Sequence, residues 1–175
     1  MSTTTTRLPL AIADGVAAQV LELLKPHCER INIAGSVRRR RPTIGDLEIV
    51  CIPKAYDPSP LFCSGIATMV NQWEKVRGEL PCRYTQRVLP WHGMKLDLFM
   101  PHPYGYGLQL AIRTGSADWC RTVLAPAWVR AGYRSEGGLL RRSSDGAICP
   151  TPTEEALFRM IGLPWVDPTA REVRP

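Results

Sequence analysis

The sequence predicts an α+β fold in which a mixed β-sheet with helices on one face precedes a smaller, mostly helical part. Three observations predict it. A helical pattern opens the chain, short strand patterns dominate up to about residue 100, and helical patterns dominate after the turn-rich joint PHPYGYG at residues 101–107. Residues 1–105 and 106–175 are therefore the two expected parts. With 175 residues, of which 45% are apolar, the chain is long enough to bury a core.

The first part contains two predicted helices, at residues 10–25 and 60–77. In the first helix apolar residues recur every four positions, and Pro26 marks its end. In the second helix, apolar residues at three- and four-residue spacing again define one face. The expected apolar faces are Ile12, Val16, Val20, Leu23 and Leu24 in the first helix and Ile66, Met69, Val70 and Trp73 in the second.

Strand patterns occupy much of the rest of the first part. In the second predicted strand, apolar residues alternate with Asp46 and Glu48, and in the fourth, leucines alternate with Lys95 and Asp97. This alternation predicts a sheet with one face against the helices and one face carrying charge. The four predicted strands are residues 30–35, 45–53, 83–90 and 93–101.

The second part is predicted to be mainly helical. Residues 117–133 have a helical pattern, and Thr151-Pro152-Thr153-Glu154 has the spacing of a capping box with proline at the first helical position. The last helix would then bury Leu157, Met160 and Ile161.

Composition limits the classes of function. A net charge of +6 and a pI near 9.2 favour polyanionic partners. The six cysteines and three histidines lack the spacing of a zinc ribbon or a disulfide framework. No apolar stretch approaches the roughly 18 residues of a membrane span, and the N-terminus lacks a signal-peptide pattern. The expectation is a cytoplasmic protein, or one in whichever compartment holds its polyanion, without a membrane partner.

Asp46 and Glu48 stand two residues apart on one predicted strand, so both side chains leave the same face. Asp97 lies on the charged face of another strand. Three carboxylates on adjacent strands repel one another unless divalent metal neutralises them. This pattern suits two Mg²⁺ ions about 3.5 to 4 Å apart, the arrangement used for in-line phosphoryl transfer. A salt-bridged strand edge is the alternative for the acidic pair.

The Gly35-Ser36 turn and the arginines after it suggest an anion site beside these carboxylates. Backbone N–H groups and the Ser36 hydroxyl can hold a phosphate oxygen. Arg39, and after it Arg38, is near enough in sequence to neutralise a leaving pyrophosphate. A solvated surface or a nuclear localisation patch is the alternative for the arginine run.

Taken together, these residues resemble the nucleotidyltransferase core of family X DNA polymerases, the polymerase beta-like family. GSVRRRRPTIGDLEIV is similar to its G-S-x-R-R-x-x-x-x-x-G-D-h-D-h-h motif, with Glu48 where the better-known members have aspartate. KLDL at residues 95–98 is similar to the strand with the third catalytic aspartate, and RTGSADW at 113–119 to the segment beside the incoming nucleotide. Residues 150–172 resemble the family's closing helix and C-terminal ending.

The resemblance implies a role for each matching residue. Asp46 and Glu48 would bind two Mg²⁺ ions, with Mn²⁺ as a possible substitute, and Asp97 would bind the catalytic ion and activate the primer 3′-hydroxyl. The nucleotide-binding residues would be Gly35, Ser36, Arg38, Arg39, Gly45, Arg113, Thr114, Gly115 and Ser116. Candidate DNA contacts are Lys95, near the primer terminus, and the basic residues Arg40, Arg41, Arg121, Arg141 and Arg142, each of which can equally be an ordinary surface arginine.

The function implied is a DNA-directed DNA polymerase that fills short gaps during repair, as a monomer, with DNA and a deoxynucleoside triphosphate as partners. Residues 1–105 would be the palm and 106–175 the thumb, without a lyase domain or separate fingers, as in the small viral member of the family. Ile112-Arg113 replaces an aromatic pair, and Ala117 and Cys120 replace polar residues. A template-independent or RNA-directed nucleotidyltransferase, or an inactive nucleic-acid-binding core, therefore remains an alternative.

Overall fold

The computed structural model describes residues 7–54, 64–80 and 83–173. The chain divides into two compact units, Met1–Met100 and Pro101–Pro175. Each unit has a hydrophobic core of its own. None of the helices in the described ranges is long and apolar enough to cross a membrane.

A five-stranded sheet forms the centre of the N-terminal unit, with strand order β2-β4-β7-β6-β5. The pair β4–β7 is parallel and the other neighbouring pairs are antiparallel, which confirms the predicted mixed sheet. A second, two-stranded sheet pairs β1 with β3. The elements are β1 (Leu8–Pro9), α1 (Leu10–Leu24), a 3₁₀ turn (Lys25–His27), β2 (Cys28–Ile33), α2 (Gly35–Arg38), β3 (Thr43–Ile44), β4 (Asp46–Pro53), α3 (Ser64–Val70), β5 (Glu74–Arg77), β6 (Tyr84–Val88) and β7 (Lys95–Phe99).

The core of this unit lies between one face of the sheet and the helices. Leu47 and Ile49 of β4 and Leu96 and Leu98 of β7 are fully buried there. The buried face of α1 differs from the predicted one, because Ile12 is 40% exposed. Two alanines, which the spacing of large apolar residues did not mark, complete the buried face of Ala13, Val16, Ala17, Val20 and Leu24.

The helix predicted over residues 60–77 is wrong at its C-terminal end. Helix α3 ends at Val70, and residues 74–77 form the edge strand β5. All four β5 side chains are exposed, so no alternation of apolar and polar residues marks this strand in the sequence. Residues 60–63 of the prediction lie outside the described residues. Ile66, Val70 and Trp73 are buried as expected, and Met69 is partly buried.

The C-terminal unit consists of short helices and one β-hairpin around a core that includes Leu108, Trp119 and Phe158. Sequence interpretation missed α4 and the hairpin, although Gly137-Gly138, with φ of 62° and 82°, is a typical hairpin turn. The elements are a 3₁₀ turn (Pro103–Gly105), α4 (Tyr106–Thr114), α5 (Ala117–Trp119), a π-helical segment (Cys120–Leu124), α6 (Ala125–Arg130), β8 (Tyr133–Glu136), β9 (Leu139–Arg142), α7 (Glu154–Met160) and a 3₁₀ turn (Pro168–Ala170).

The predicted helix at residues 117–133 is present but irregular. It runs from α5 to α6 through the π-helical segment and ends at Arg130. Pro126 explains the irregularity, because proline lacks an N–H and its ring clashes with the carbonyl group one turn earlier. A wider π turn ahead of Pro126 relieves that clash.

The N-cap of the last helix is Thr153, not Thr151 as the capping-box pattern predicts. The Thr153 hydroxyl accepts a hydrogen bond from the N–H of Ala156 at 3.2 Å. Thr151 is fully buried, and its hydroxyl donates to the carbonyl oxygen of Tyr104 at 3.2 Å. Thr151, which the local sequence pattern assigns to the cap, therefore makes a tertiary contact instead. Leu157 and Ile161 are buried as predicted.

Candidate active site

The parallel pairing of β4 with β7 brings the predicted carboxylates onto neighbouring positions. Glu48 is in register with Asp97, and Asp46 is in register with Lys95. Neighbouring strands lie about 4.8 Å apart, and residues in register project from the same face. The opposite face of both strands holds the buried leucines and isoleucine of the core. One face of the sheet therefore carries Asp46, Glu48, Lys95 and Asp97 together.

The Gly35 turn lies directly against the second of these carboxylates. Gly35 has φ of +60°, and a Cβ placed on it would come within 2.0 Å of Oε2 of Glu48. The N–H of Ala34 donates to the backbone carbonyl of Glu48 at 2.8 Å, which fixes the turn to β4. Only glycine tolerates both this backbone conformation and this close approach. The motif glycine and the motif glutamate thus form one local structure.

Asp97 is largely buried, with 9% of its surface exposed, and it is held from the neighbouring strand β6. Gln86, directly opposite in register, donates from Nε2 to Oδ1 of Asp97 at 2.9 Å. The Tyr84 hydroxyl donates to the same oxygen at 2.6 Å. Hydrogen bonds from a phenol to an ionised carboxylate are short and strong, so Asp97 is fixed in orientation.

Burial raises the pKa of the Asp46 carboxyl, and the negative charge of Asp97 raises it further. Arg7, a hydrogen bond to the backbone of Asp46 itself and Lys95 act in the opposite direction. Desolvation and a like charge both disfavour the ionised form of a carboxyl group. The charge of Asp97 therefore lies close enough to affect the ionisation of Asp46.

The residues fit a hard divalent cation in their chemistry, because Mg²⁺ and Mn²⁺ prefer carboxylate oxygens and their charge would relieve the repulsion at Asp46. The predicted three-carboxylate metal cluster is not seen as such. Across the described ranges, no three His, Cys, Asp or Glu side chains are gathered closely enough to hold an ion as they stand. Metal binding is therefore a proposal that rests on strand register and charge.

The four arginines lie at the end of α2 and just after it. Arg38 and Arg39 are partly buried, whereas Arg40 and Arg41 are exposed. Arg40 has φ of +59°, and its Nη1 donates to Oδ2 of Asp14 at 2.6 Å. This exposed ion pair contributes little to stability, as surface pairs generally do.

The predicted nucleotide segment at residues 113–116 belongs to the C-terminal unit. Thr114 is fully buried at the end of α4, and Gly115 is packed so that a Cβ would come within 2.5 Å of the Trp119 ring. Ser116 is the N-cap of α5, since its hydroxyl accepts from the N–H of Trp119 at 3.1 Å. These contacts give the segment a fixed conformation between two helices, and they account for glycine at 115.

The predicted DNA-contacting arginines of the C-terminal unit have local partners. Arg121 pairs with Asp118 at 2.8 Å, and Arg142 pairs with Asp145 at 3.0 Å. Nη1 of Arg141 donates to the carbonyl oxygen of Gly146 at 2.9 Å. Arg121 and Arg142 remain more than half exposed, so exposed positive charge is present on this unit.

Sequence reasoning missed Tyr84 and Gln86, the two donors to Asp97. Their signal was available in part: both lie on a predicted strand next to the strand of Asp97, two residues apart and hence on one face. The sequence did not predict the register of β6 against β7. That register places Gln86 opposite Asp97 rather than opposite a leucine of the buried face.

Two comparisons with known proteins bear on the chain as a whole and on its C-terminal unit. Residues 109–172 match the family model described as the DNA polymerase beta thumb. The chain is 28% identical over 188 aligned residues to DNA polymerase lambda of Rattus norvegicus, an alignment that covers 89% of this chain and 32% of that protein. The chain thus spans about a third of the length of this curated relative. The two comparisons support a family X polymerase-like protein.

Proposed function

We propose that the chain is a DNA-directed DNA polymerase of the X family that adds deoxynucleotides to a primer 3′-hydroxyl in short gaps during DNA repair. The observation that carries the proposal is the parallel register of β4 and β7, which sets Glu48 beside Asp97 with Asp46 on the same face. The similarity to DNA polymerase lambda supports this nucleotidyltransferase assignment.

Asp46 and Glu48 would hold two Mg²⁺ ions, or Mn²⁺ in their place, and Asp97 would hold the catalytic ion. When bound, the metal supplies electrostatic stabilisation of the phosphoryl oxygens and favours deprotonation of the primer hydroxyl. Asp97 orients that hydroxyl by accepting its hydrogen bond. The primer 3′-oxygen then forms a bond to the α-phosphorus as the bond to pyrophosphate breaks, and the hydroxyl proton passes to the Asp97 carboxylate.

The nucleotide would be held by residues from both motifs. Gly35 and Ser36 would approach the β- and γ-phosphates with the backbone, because the bare Cα of Gly35 allows close contact. Arg39, with Arg38 as second candidate, would neutralise the pyrophosphate. Gly45, directly before Asp46, would be a further nucleotide-binding residue, and a Cβ there would meet nothing within 4 Å. Arg113, Thr114, Gly115 and Ser116 would line the sugar and base.

DNA would be bound by positive charge on both parts of the chain, with residues 1–105 as palm and 106–175 as thumb, acting as a monomer. Lys95 shares the face of the carboxylates and would lie near the primer terminus. The further candidates are Arg40, Arg41, Arg121, Arg141 and Arg142. Contacts of this kind with phosphate weaken as salt concentration rises.

Primer extension on DNA with a one-nucleotide gap tests the proposal. Wild type should add the template-matched deoxynucleotide with Mg²⁺ or Mn²⁺, and Asp97→Asn should abolish addition. Glu79→Gln is the control, because it removes an exposed carboxylate that pairs with Lys75, outside the proposed site, and should leave addition unchanged.

Three results would contradict the proposal. Addition regardless of template, or of ribonucleotides alone, would indicate a different nucleotidyltransferase. DNA binding by wild type without addition under any metal condition would indicate an inactive binding core. Undiminished addition by Asp97→Asn would remove the assigned catalytic residue.

A further inference from the structure

The two hydrogen bonds to Asp97 come from side chains on a neighbouring strand and converge on one oxygen. Tyr84 donates at 2.6 Å and Gln86 at 2.9 Å, both to Oδ1. Gln86 lies opposite Asp97 in the antiparallel pair β6–β7, and Tyr84 lies two residues away on the same face. Both described hydrogen bonds of the carboxylate therefore involve the same oxygen.

The tyrosine is held in place independently of this hydrogen bond. Its ring is stacked on Phe99, with ring centroids 5.0 Å apart. Packing of this type retains the ring position when the hydroxyl is removed. Replacing Tyr84 by phenylalanine can therefore remove the hydroxyl while keeping the ring packing. This separates the effect of the hydrogen bond from the effect of the packing.

Carboxylates that bind metal are generally oriented by hydrogen bonds from surrounding residues. A carboxylate beside like charges rotates away from them unless other groups fix it, and Asp97 shares its face with Asp46 and Glu48. Two donors to Oδ1 restrict rotation of the group. The other oxygen, Oδ2, then has a set orientation.

We propose that Tyr84 and Gln86 are positioning residues that fix the Asp97 carboxylate through Oδ1, so that Oδ2 serves as the oxygen offered to metal and primer hydroxyl. This inference rests on the proposed polymerase function. It gives β6 a role in the site, although none of the sequence motifs lies on that strand. Neither residue contacts substrate in this account, and both act through Asp97.

The test compares wild type with Tyr84→Phe, Gln86→Met and the double variant. Mn²⁺ affinity is measured by electron paramagnetic resonance in a complex with gapped DNA, a dideoxy-terminated primer and the matched nucleotide. Primer extension is measured separately with a reactive primer. Thr85→Val is the matched control, because Thr85 is on the same strand but donates to the carbonyl oxygens of Arg77 and Gly78 at 2.9 and 3.2 Å.

In the double variant, Mn²⁺ affinity and kcat should each fall by about 10-fold to 100-fold, the usual effect of removing hydrogen bonds to a metal ligand. The KM for the nucleotide should change little, because the triphosphate contacts remain. Each single variant should show a smaller effect in the same direction. Thr85→Val should lower thermal stability while leaving Mn²⁺ affinity and kcat as in wild type.

Two results would overturn the inference. If wild type extends primers and binds Mn²⁺, and the double variant matches it in both, then Tyr84 and Gln86 do not position Asp97. If the double variant loses only stability, as the Thr85 control does, their role is structural. Failure of wild type itself to extend primers or bind Mn²⁺ would instead overturn the proposed function, and the positioning role with it.

Discussion

Loss of the buried ion pair between Arg171 and Glu154 should destabilise the C-terminal unit more than any exposed ion pair there. The side chains are 0% and 2% exposed, and Nη1 of Arg171 donates to Oε1 of Glu154. The Arg171 guanidinium carbon also lies 5.0 Å from the ring centroids of both Phe158 and Trp165. Arg171→Met removes the charge, the hydrogen bonds and the cation–π contacts, and leaves Glu154 buried beside an apolar side chain.

The magnitude follows from burial. Removing one partner of a buried pair costs about 3–5 kcal/mol, because the remaining charge is left without compensation. Arg171 Nε also donates to the carbonyl oxygen of Val166 at 2.9 Å, so a further hydrogen bond worth about 1 kcal/mol is lost. A domain is typically stable by about 5–15 kcal/mol, so the variant should be close to unfolding.

Urea unfolding of the full chain, followed by tryptophan fluorescence, measures the effect because Trp119 and Trp165 lie beside Arg171. At an m value of about 2 kcal/mol per molar, the total loss of about 4–6 kcal/mol lowers the midpoint by about 2–3 M. Asp118→Asn, which breaks an exposed pair with Arg121, should cost about 0–1 kcal/mol. Equal midpoint shifts for the two variants would refute the reasoning from burial. The double variant Arg171→Met/Glu154→Met should recover part of the loss.

Three further predictions concern the motif residues and the last helix. Gly35→Ala should lose about 1–2 kcal/mol of stability for its left-handed backbone alone. Gly45→Ala has open space around its Cβ and should lose little stability, so equal urea midpoints for the two variants would contradict the strain and close approach at Gly35. The pKa of the Asp46 carboxyl is higher in the folded chain than in the unfolded chain. The contribution of this carboxyl to the free energy of unfolding is therefore most favourable below its pKa in the unfolded chain, and it is lost as pH rises through its pKa in the folded chain. Asp46→Asn should thus be more stable than wild type at pH 7, and urea titrations should show this difference disappearing towards about pH 4. A difference in stability that stays constant with pH would contradict the raised pKa of Asp46. Thr153→Ala should lower the free energy of unfolding by about 1 kcal/mol, because the helix loses its N-cap. Thr169→Ala, at another exposed threonine, is the comparison. An unchanged urea midpoint for Thr153→Ala would mean that another residue caps the helix.

Much of the N-terminal unit could be predicted because its sequence pattern and its burial agree. The buried Leu47 and Ile49 alternate with the partly buried Asp46 and Glu48 as expected, although the strand is buried on both faces from Ile49 to Pro53. The secondary-structure and burial predictions failed where the buried side of an element is not marked by regularly spaced large apolar residues. The edge strand β5 has four exposed side chains, and the buried face of α1 depends on two alanines rather than Ile12. Local rules also failed where tertiary contacts override them, as at Thr151.

The candidate site was predictable in its members but not in its supporting contacts. Asp46, Glu48 and Asp97 are polar residues in apolar strands, a conflict that marks them in the sequence. Tyr84 and Gln86 create no such conflict, since both suit the partly exposed face of an ordinary strand. Their significance depends on register between strands, which the spacing of residues within one strand does not determine.

The contact between Gly35 and Glu48 explains why the turn and the acidic strand belong to one site. The two residues are separated by the rest of the arginine loop, yet a Cβ at Gly35 would come within 2.0 Å of Oε2 of Glu48. Glu48 is one methylene longer than an aspartate, and its carboxylate lies against Gly35. The longer side chain therefore places negative charge directly against the turn proposed to hold phosphate. A phosphate held there would need positive charge between it and Glu48, and the partly buried Arg38 and Arg39, together with the proposed metal ions, would supply it.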